Sequence, residues 1–159
     1  MRYADGPSVT VDLYVAAPPE AIWPLVSDIN LPARFSTEFQ GAEWLDDAQT
    51  SFLGRNQHPA AGEWTSTSYV VERVENRVFA WAVSDPDHPA ASWRFELEAE
   101  GAGTRLRQAM RMGPAPSGLT PAITAMPDKE ERIIARRLDE HRTNMLATLQ
   151  GIKDVVESR

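Results

Sequence analysis

Few residues in this 159-residue chain could do chemistry, and they begin with three histidines, His58, His88 and His141. Histidine is the side chain whose ordinary pKa places proton exchange near neutrality. His141 has the most telling context, because it stands on an apolar stripe one turn from Leu138 and Met145. There it could hydrogen-bond a ligand oxygen, shuttle a proton, or be satisfied by a neighbouring side chain, and the sequence leaves all three open. His58 ends a strand-like run before Pro59, and His88 lies in the turn Asp85-Pro86-Asp87-His88-Pro89. No two histidines have the spacing of helical metal ligands, and Asp85 and Asp87 lack the glycine and remaining ligands of a calcium loop. No metal and no other cofactor is therefore expected. The chain has no cysteine, so thiolate catalysis and disulfides are excluded. No serine sits in a Gly-x-Ser-x-Gly elbow, and neither a dinucleotide-binding nor a phosphate-binding glycine motif occurs.

Charge narrows the partners. Sixteen basic residues stand against 23 acidic ones, a net charge of −7. This argues against binding a nucleic acid backbone or an anionic membrane surface. No apolar run approaches the roughly 20 residues of a membrane-spanning helix, and the start of the chain lacks the pattern of a secretion signal. The expectation is a cytoplasmic protein with a single domain over residues 1–159, a usual length for one core.

The elements that must position these side chains follow from periodicity. Residues 8–15 alternate, with Val9, Val11, Leu13 and Val15 on one side, as in a half-buried strand. Residues 20–26 read as a short helix after two prolines, with Pro24 bending or shortening it, and residues 31–35 as a second short helix or turn. From about Gly41 the period becomes two. Strands are expected at residues 42–45, 51–58, 63–74, 78–84, 92–99 and 104–112, joined by hairpin-length turns into an antiparallel meander. A proline- and glycine-rich connector then leads to a long helix to about Val156, with Asp128 as its cap and Glu131 completing a capping box. Gly151 weakens this helix by about 1 kcal/mol relative to alanine. Ile134, Leu138, His141, Met145, Leu149, Ile152 and Val156 form its apolar stripe, and the concave face of the sheet is the surface available to bury it. The fold class is α+β: a curved antiparallel sheet of about seven strands wrapped around a long C-terminal helix, with two short helices after the first strand.

The segment Ala16-Ala17-Pro18-Pro19-Glu20-Ala21-Ile22-Trp23-Pro24-Leu25-Val26-Ser27-Asp28 resembles the opening motif of the bacterial polyketide cyclase/dehydrase-like branch of the START/Bet v 1-like (SRPBCC) superfamily. The run Phe52-Leu53-Gly54-Arg55-Asn56 and the later Trp64 are similar to strands of the same branch. The resemblance spans essentially the whole chain and implies the helix-grip fold. It says less about activity, because this fold hosts lipid carriers, cyclases, receptors, chaperone regulators and antitoxins, so function must be argued from the site.

Strand alternation assigns the faces. Phe79, Trp81 and Val83 share one side of their strand, as do Trp93, Phe95 and Leu97 of the next. Leu106, Gln108, Met110 and Met112 share the inner side of the last strand, and Trp64, Ser66, Ser68, Val70 and Val74 align on the long middle one. Phe52, Gly54, Asn56 and His58 align on the strand before it. Large aromatics with a few polar groups suit a ligand pocket. The expected contacts are Trp64, Trp81, Trp93, Phe95 and Met145 for apolar surface, and Asn56, Gln108 and His141 for polar atoms. Phe35 joins them from residues 31–39, which with residues 113–126 could form a lid. Arg94, Arg105, Arg107 and Arg111 fall on the opposite face, in an expected ladder with Glu72, Glu96 and Glu98, and Arg137 on a solvated flank within reach of the pocket mouth. The leading reading is a protein that binds a small hydrophobic molecule, aromatic, polyketide- or lipid-like, between sheet and helix. Two alternatives stay open: an enzyme of the polyketide cyclase or dehydratase type, and an antitoxin- or chaperone-regulator-like protein with a protein partner.

Overall fold

Alternation shapes the first strand, β1 (Ser8–Val15), which buries Val9, Val11 and Val15 and exposes Ser8, Thr10 and Asp12. The computed structural model describes residues 1–159. After β1 come α1 (Pro19–Val26), a 3-10 turn (Leu31–Arg34), and six strands: β2 (Phe39–Trp44), β3 (Ser51–His58), β4 (Gly62–Val74), β5 (Val78–Val83), β6 (Ala91–Glu100) and β7 (Gly103–Met112). A short α2 (Thr120–Ala125) and the long α3 (Glu130–Glu157) complete the chain. The sheet has seven strands in the order β1-β7-β6-β5-β4-β3-β2, and every pairing is antiparallel. This is the expected helix-grip arrangement. Strand ends agree with the periodicity to within a few residues, the largest difference being β2, which begins at Phe39.

Two local expectations are corrected. Asp128 does not cap α3: it lies in a 3-10 turn (Pro127–Lys129), and the N-cap residue Lys129 makes no side-chain capping bond. Instead the chain's first residues occupy the acidic start of the helix. The Tyr3 amide donates to Glu130 Oε2 at 2.7 Å, and Arg2 pairs with Glu130 Oε1 at 2.9 Å. The second correction concerns β4. A bulge between Val70 and Glu72 shifts the register, so Arg73 rather than Val74 stands opposite Phe79 on the inner face. Its guanidinium lies 5.6 Å from the ring centroids of both Phe79 and Trp44, a cation–π position. On the outer face the ladder is Glu72–Arg94–Glu96–Arg107, with Arg105 held by Asp12 and Glu100. Glu98 makes no ion pair in it, and Arg111 packs over Gly6 instead.

The stripe of α3 is buried as periodicity required: Ile134, His141, Met145, Leu149, Ile152 and Val156 are all inside. The helix packs on β1 and β7, and α1 reaches β6. One core cluster therefore gathers the β1, β6 and β7 side chains with those of α1 and α3. A smaller one, Ile29, Ala42, Phe52 and Phe79, sits under the other half of the sheet.

Gly151 proves to be more than a weak point in α3. The ring of Phe35 lies against it, and a Cβ added there would stand 2.4 Å from two ring carbons. The helix thus carries a slot for the Phe35 ring. Gly151→Ala should gain about 1 kcal/mol of helix propensity and lose more, about 1–3 kcal/mol, to the clash. The expected outcome is net destabilisation in the native chain and net stabilisation in a Phe35→Ala background, read by chemical denaturation. A Gly151→Ala gain in both backgrounds would show that Phe35 does not need the slot.

Candidate functional site

Alternation brings the inner-face aromatics of β3, β5 and β6 together. Phe52, Phe79, Trp81, Val83, Trp93 and Phe95 wall a cavity of about 100 Å3. Gly54, Asn56, Ser66 and Ser68 form its floor along β3 and β4, and Ile29, Pro32 and Phe39 close it from the α1–β2 segment. Pairing explains the aromatic order. Trp81 lies opposite Trp93 and Phe79 opposite Phe95, so each pair shares one face of neighbouring strands. The two indoles are stacked, 6.3 Å between centroids and 10° between planes, and Phe95 and Phe52 meet Trp81 at 6.1 and 6.0 Å. The cavity is mostly filled by these rings.

Of the expected site residues, Asn56, Trp81, Trp93 and Phe95 meet on this cavity. His141 stands behind it, its ring edge-on to Trp93 at 5.2 Å and 81°. Met145 is fully buried one turn further along α3, in the main core cluster. Gln108 lies between Val11 and Phe95 in the sheet, is 4% exposed, and leaves its Oε1 buried without a hydrogen-bond partner. Such an unmet acceptor costs about 1–3 kcal/mol unless a donor reaches it. Trp64 shares the face of Asn56 but stands nearer the end of the β3–β4 hairpin, half-buried and outside the cavity wall. Phe35 is outside it too, on the Gly151 slot of α3.

A second space lies beyond the Phe39 end of the cavity. It is an open groove of about 700 Å3 between α3 and the β3–β4 hairpin. Thr37 and Glu38 line it from the strap before β2, His58 and Glu63 from the hairpin, and Arg136, Glu140 and Asn144 from α3. The strap, residues 35–39, thus separates the two spaces: Phe39 faces the cavity and Glu38 the groove.

Charge pairs tie the strap down. Arg137 donates from Nη1 to Glu38 Oε1 at 2.7 Å and from Nη2 to Oε2 at 2.6 Å, a two-pronged pair. Nη1 also reaches Glu140 Oε1 at 3.0 Å, and Glu140 Oε2 meets His58 Nε2 at 3.0 Å. Thr37 completes the contact with two longer bonds to Asn144 Oδ1, both 3.3 Å. Burial works against the Arg137 charge, but the bonds from Glu38 and then Glu140 outweigh it and hold the guanidinium above its ordinary pKa. Burial likewise works against the Glu140 charge, and His58 and Arg137 overcome it, so this carboxyl sits below the ordinary range. Sequence reasoning puts Arg137 on a solvated flank within reach of the pocket mouth, and singles out neither Glu38 nor Glu140 as a site residue. The Arg137–Glu140 spacing is a helical pair, but nothing local points to Glu38, 99 residues away.

The family model described as polyketide cyclase/dehydrase and lipid transport matches residues 7–145. Among curated proteins nothing matches. A solved polyketide-cyclase-like protein from Corynebacterium glutamicum is 26% identical, with 96% of this chain and 92% of that one covered and a TM-score of 0.68. The Zhui aromatase/cyclase from a Streptomyces species is 19% identical over 97% and 95% of the two chains, with a TM-score of 0.67. The di-domain aromatase/cyclase of the steffimycin biosynthetic pathway gives a TM-score of 0.73 at 13% identity, covering 96% of this chain and 51% of that one. Likeness at those last two identities is one of fold.

His141 has a measurable consequence. Burial, and then the nearby Arg137 charge, push its pKa from 6.5 down to about 4, against the weaker pull of Glu38 and Glu140. The unfolded chain therefore takes up a proton at this position below pH 6.5 that the folded chain refuses until about pH 4. More protons on the unfolded state mean that stability falls as pH falls through this window, by roughly 3 kcal/mol in all. Urea denaturation at pH 7 and pH 4 should show the native chain losing that much more than His141→Gln. Equal losses in the two proteins would mean that His141 titrates normally and is not held in an apolar setting.

Proposed function

This chain belongs to the polyketide cyclase/dehydrase and lipid transport family, and from that membership we propose that it binds a small hydrophobic molecule, aromatic or polyketide-like, between the sheet and α3, with residues 1–159 acting as one domain. The observation that carries the reading is the cavity itself, a wall of stacked and edge-on aromatic rings with Asn56, Ser66 and Ser68 on its floor. Apolar walls with few polar groups are what a pocket needs for affinity and orientation. In this reading Trp81, Trp93 and Phe95 supply the apolar surface and Asn56 a hydrogen bond. His141 stands one layer back, where a shift of Trp93 would bring it to the ligand, and Gln108 lies beside Phe95.

Size shapes the proposal. A cavity of about 100 Å3 holds at most one small ring, whereas ligand sites usually run to about 300–1,000 Å3. A larger ligand must push the Trp81 and Trp93 rings apart or extend into the groove. Ring closure or dehydration of a polyketide is the second reading, since such reactions need mainly a shaped pocket and oriented groups. The family description, which includes polyketide cyclase and dehydrase, favours it. His141 counts against it as the proton shuttle, because a base with a pKa of about 4 is poorly matched to neutral pH.

Titration with 2-naphthol, whose two fused rings enter by parting the Trp81 and Trp93 rings, followed by tryptophan fluorescence and melting temperature, tests the binding reading. Saturable quenching with a raised melting temperature is expected. Ser66→Phe, which fills the cavity from the floor, should abolish the quenching while the protein stays folded. Unchanged binding in the folded variant would place the ligand elsewhere.

A further inference from the structure

We propose that the natural ligand carries an acidic group, and that its carboxylate replaces Glu38 on Arg137, releasing the strap so that cavity and groove become one site. The proposal rests on the binding reading above and adds the ligand's charge and the way it enters.

The placement of Arg137 comes first. On α3, Arg136, Glu140 and Asn144 line the groove, while His141 faces Trp93 of the cavity wall. Arg137 lies one turn before His141, at the level where the strap passes from Glu38 in the groove to Phe39 in the cavity. A ligand with a ring among Trp81, Trp93 and Phe95 and its remainder in the groove must cross the strap beside this guanidinium.

The contact to be replaced has the right form. Glu38 presents both oxygens to both terminal nitrogens of Arg137, and that fork accepts any planar carboxylate in the same geometry. Glu38 is in effect a carboxylate supplied by the chain itself. Charge also favours exchange, because only the single bond to Glu140 Oε1 at 3.0 Å would otherwise remain on Arg137. The Arg137 and Glu38 side chains are only 16% and 14% exposed. Moving the strap without a substitute would leave a largely buried cation short of a partner, which is unfavourable. A ligand carboxylate restores the charge count of the closed state. The other ties of the strap can yield: the Thr37–Asn144 bonds are 3.3 Å long, and Phe35 can stay in its Gly151 slot as a pivot.

The net charge of −7 opposes the approach of an anion. Preference for an acid must therefore come from the fork at short range, and should persist in high salt, where distant charges are screened.

Calorimetric titration with 2-naphthoate and its neutral analogue 2-naphthamide tests this at pH 7. The native protein is expected to bind the acid about tenfold more tightly, the usual worth of a charge-assisted bond. Glu38→Gln, which frees the fork, should strengthen 2-naphthoate several-fold and leave 2-naphthamide nearly unchanged. The double variant Glu38→Gln/Arg137→Gln leaves no buried charge unpaired by the exchange, and in it the ratio should fall to about one while the melting temperature confirms folding. Equal affinities for both probes in the native protein would overturn the acidic-ligand proposal and leave the apolar site standing. So would a preference that survives in the folded double variant. If neither probe binds, the apolar site falls together with the proposal.

Discussion

One helix cannot cover this sheet. Seven strands about 4.8 Å apart make a surface nearly 30 Å wide, and a helix with its side chains is about 10–12 Å across. Burying the stripe of α3 settles where that helix goes, onto β1 and β7, with α1 filling in toward β6. The inner face of β3 and β4 then has no helix on it, and β5 meets one only at its edge, where Trp23 of α1 stands edge-on to Phe79 at 6.4 Å. Everything distinctive about the molecule answers that shortage.

The uncovered half is closed by two devices of different chemistry. Large rings fill the space from below, where Phe52, Phe79, Trp81, Trp93 and Phe95 interlock at 5.7–6.3 Å. Because they meet at several angles, they fill it incompletely and leave the small cavity. From above, the strap before β2 is drawn onto α3 by the Phe35 ring against Gly151 and by Glu38 on Arg137. The first contact needs a helix without a side chain at one point. The second needs a cation in a place with little water. Both are unusual choices for a helix surface, and together they make the strap a separable part of the closure. Phe35 is the strap's link to the main core cluster, so residues 37–39 can move without exposing that core while the Phe35 ring keeps its slot.

Much of this was legible in the sequence, and the limit has a physical form. Period two and turn residues located the strands because local chemistry decides them, and the heptad-like steps from Ile134 to Val156 gave the buried stripe of α3. The opening motif around Pro18 and Trp23 pointed to the fold and family. What escaped depends on contacts far apart in the chain. Asp128 looked like a cap because the sequence does not show Tyr3 and Arg2 arriving at Glu130. Val74 was placed inside because an extra residue in β4 leaves no local mark, yet it turns every later side chain over. Gly151 read as a defect, since its value lies in a ring more than a hundred residues earlier. The aromatic face was readable and the size of the cavity was not, because ring rotation rather than residue type decides how much space remains.

The claim at the centre of this account is that the inner face of β5 and β6, rather than the roomier groove outside, receives the apolar part of a ligand. Intermolecular NOE measurements on the protein with bound 2-naphthol test it most directly. The account requires cross-peaks from the ligand ring to the indole protons of Trp81 and Trp93 and to Phe95. Cross-peaks confined to Thr37, Asn144 and the other groove residues would contradict it, and would make the aromatic interior a core rather than a site.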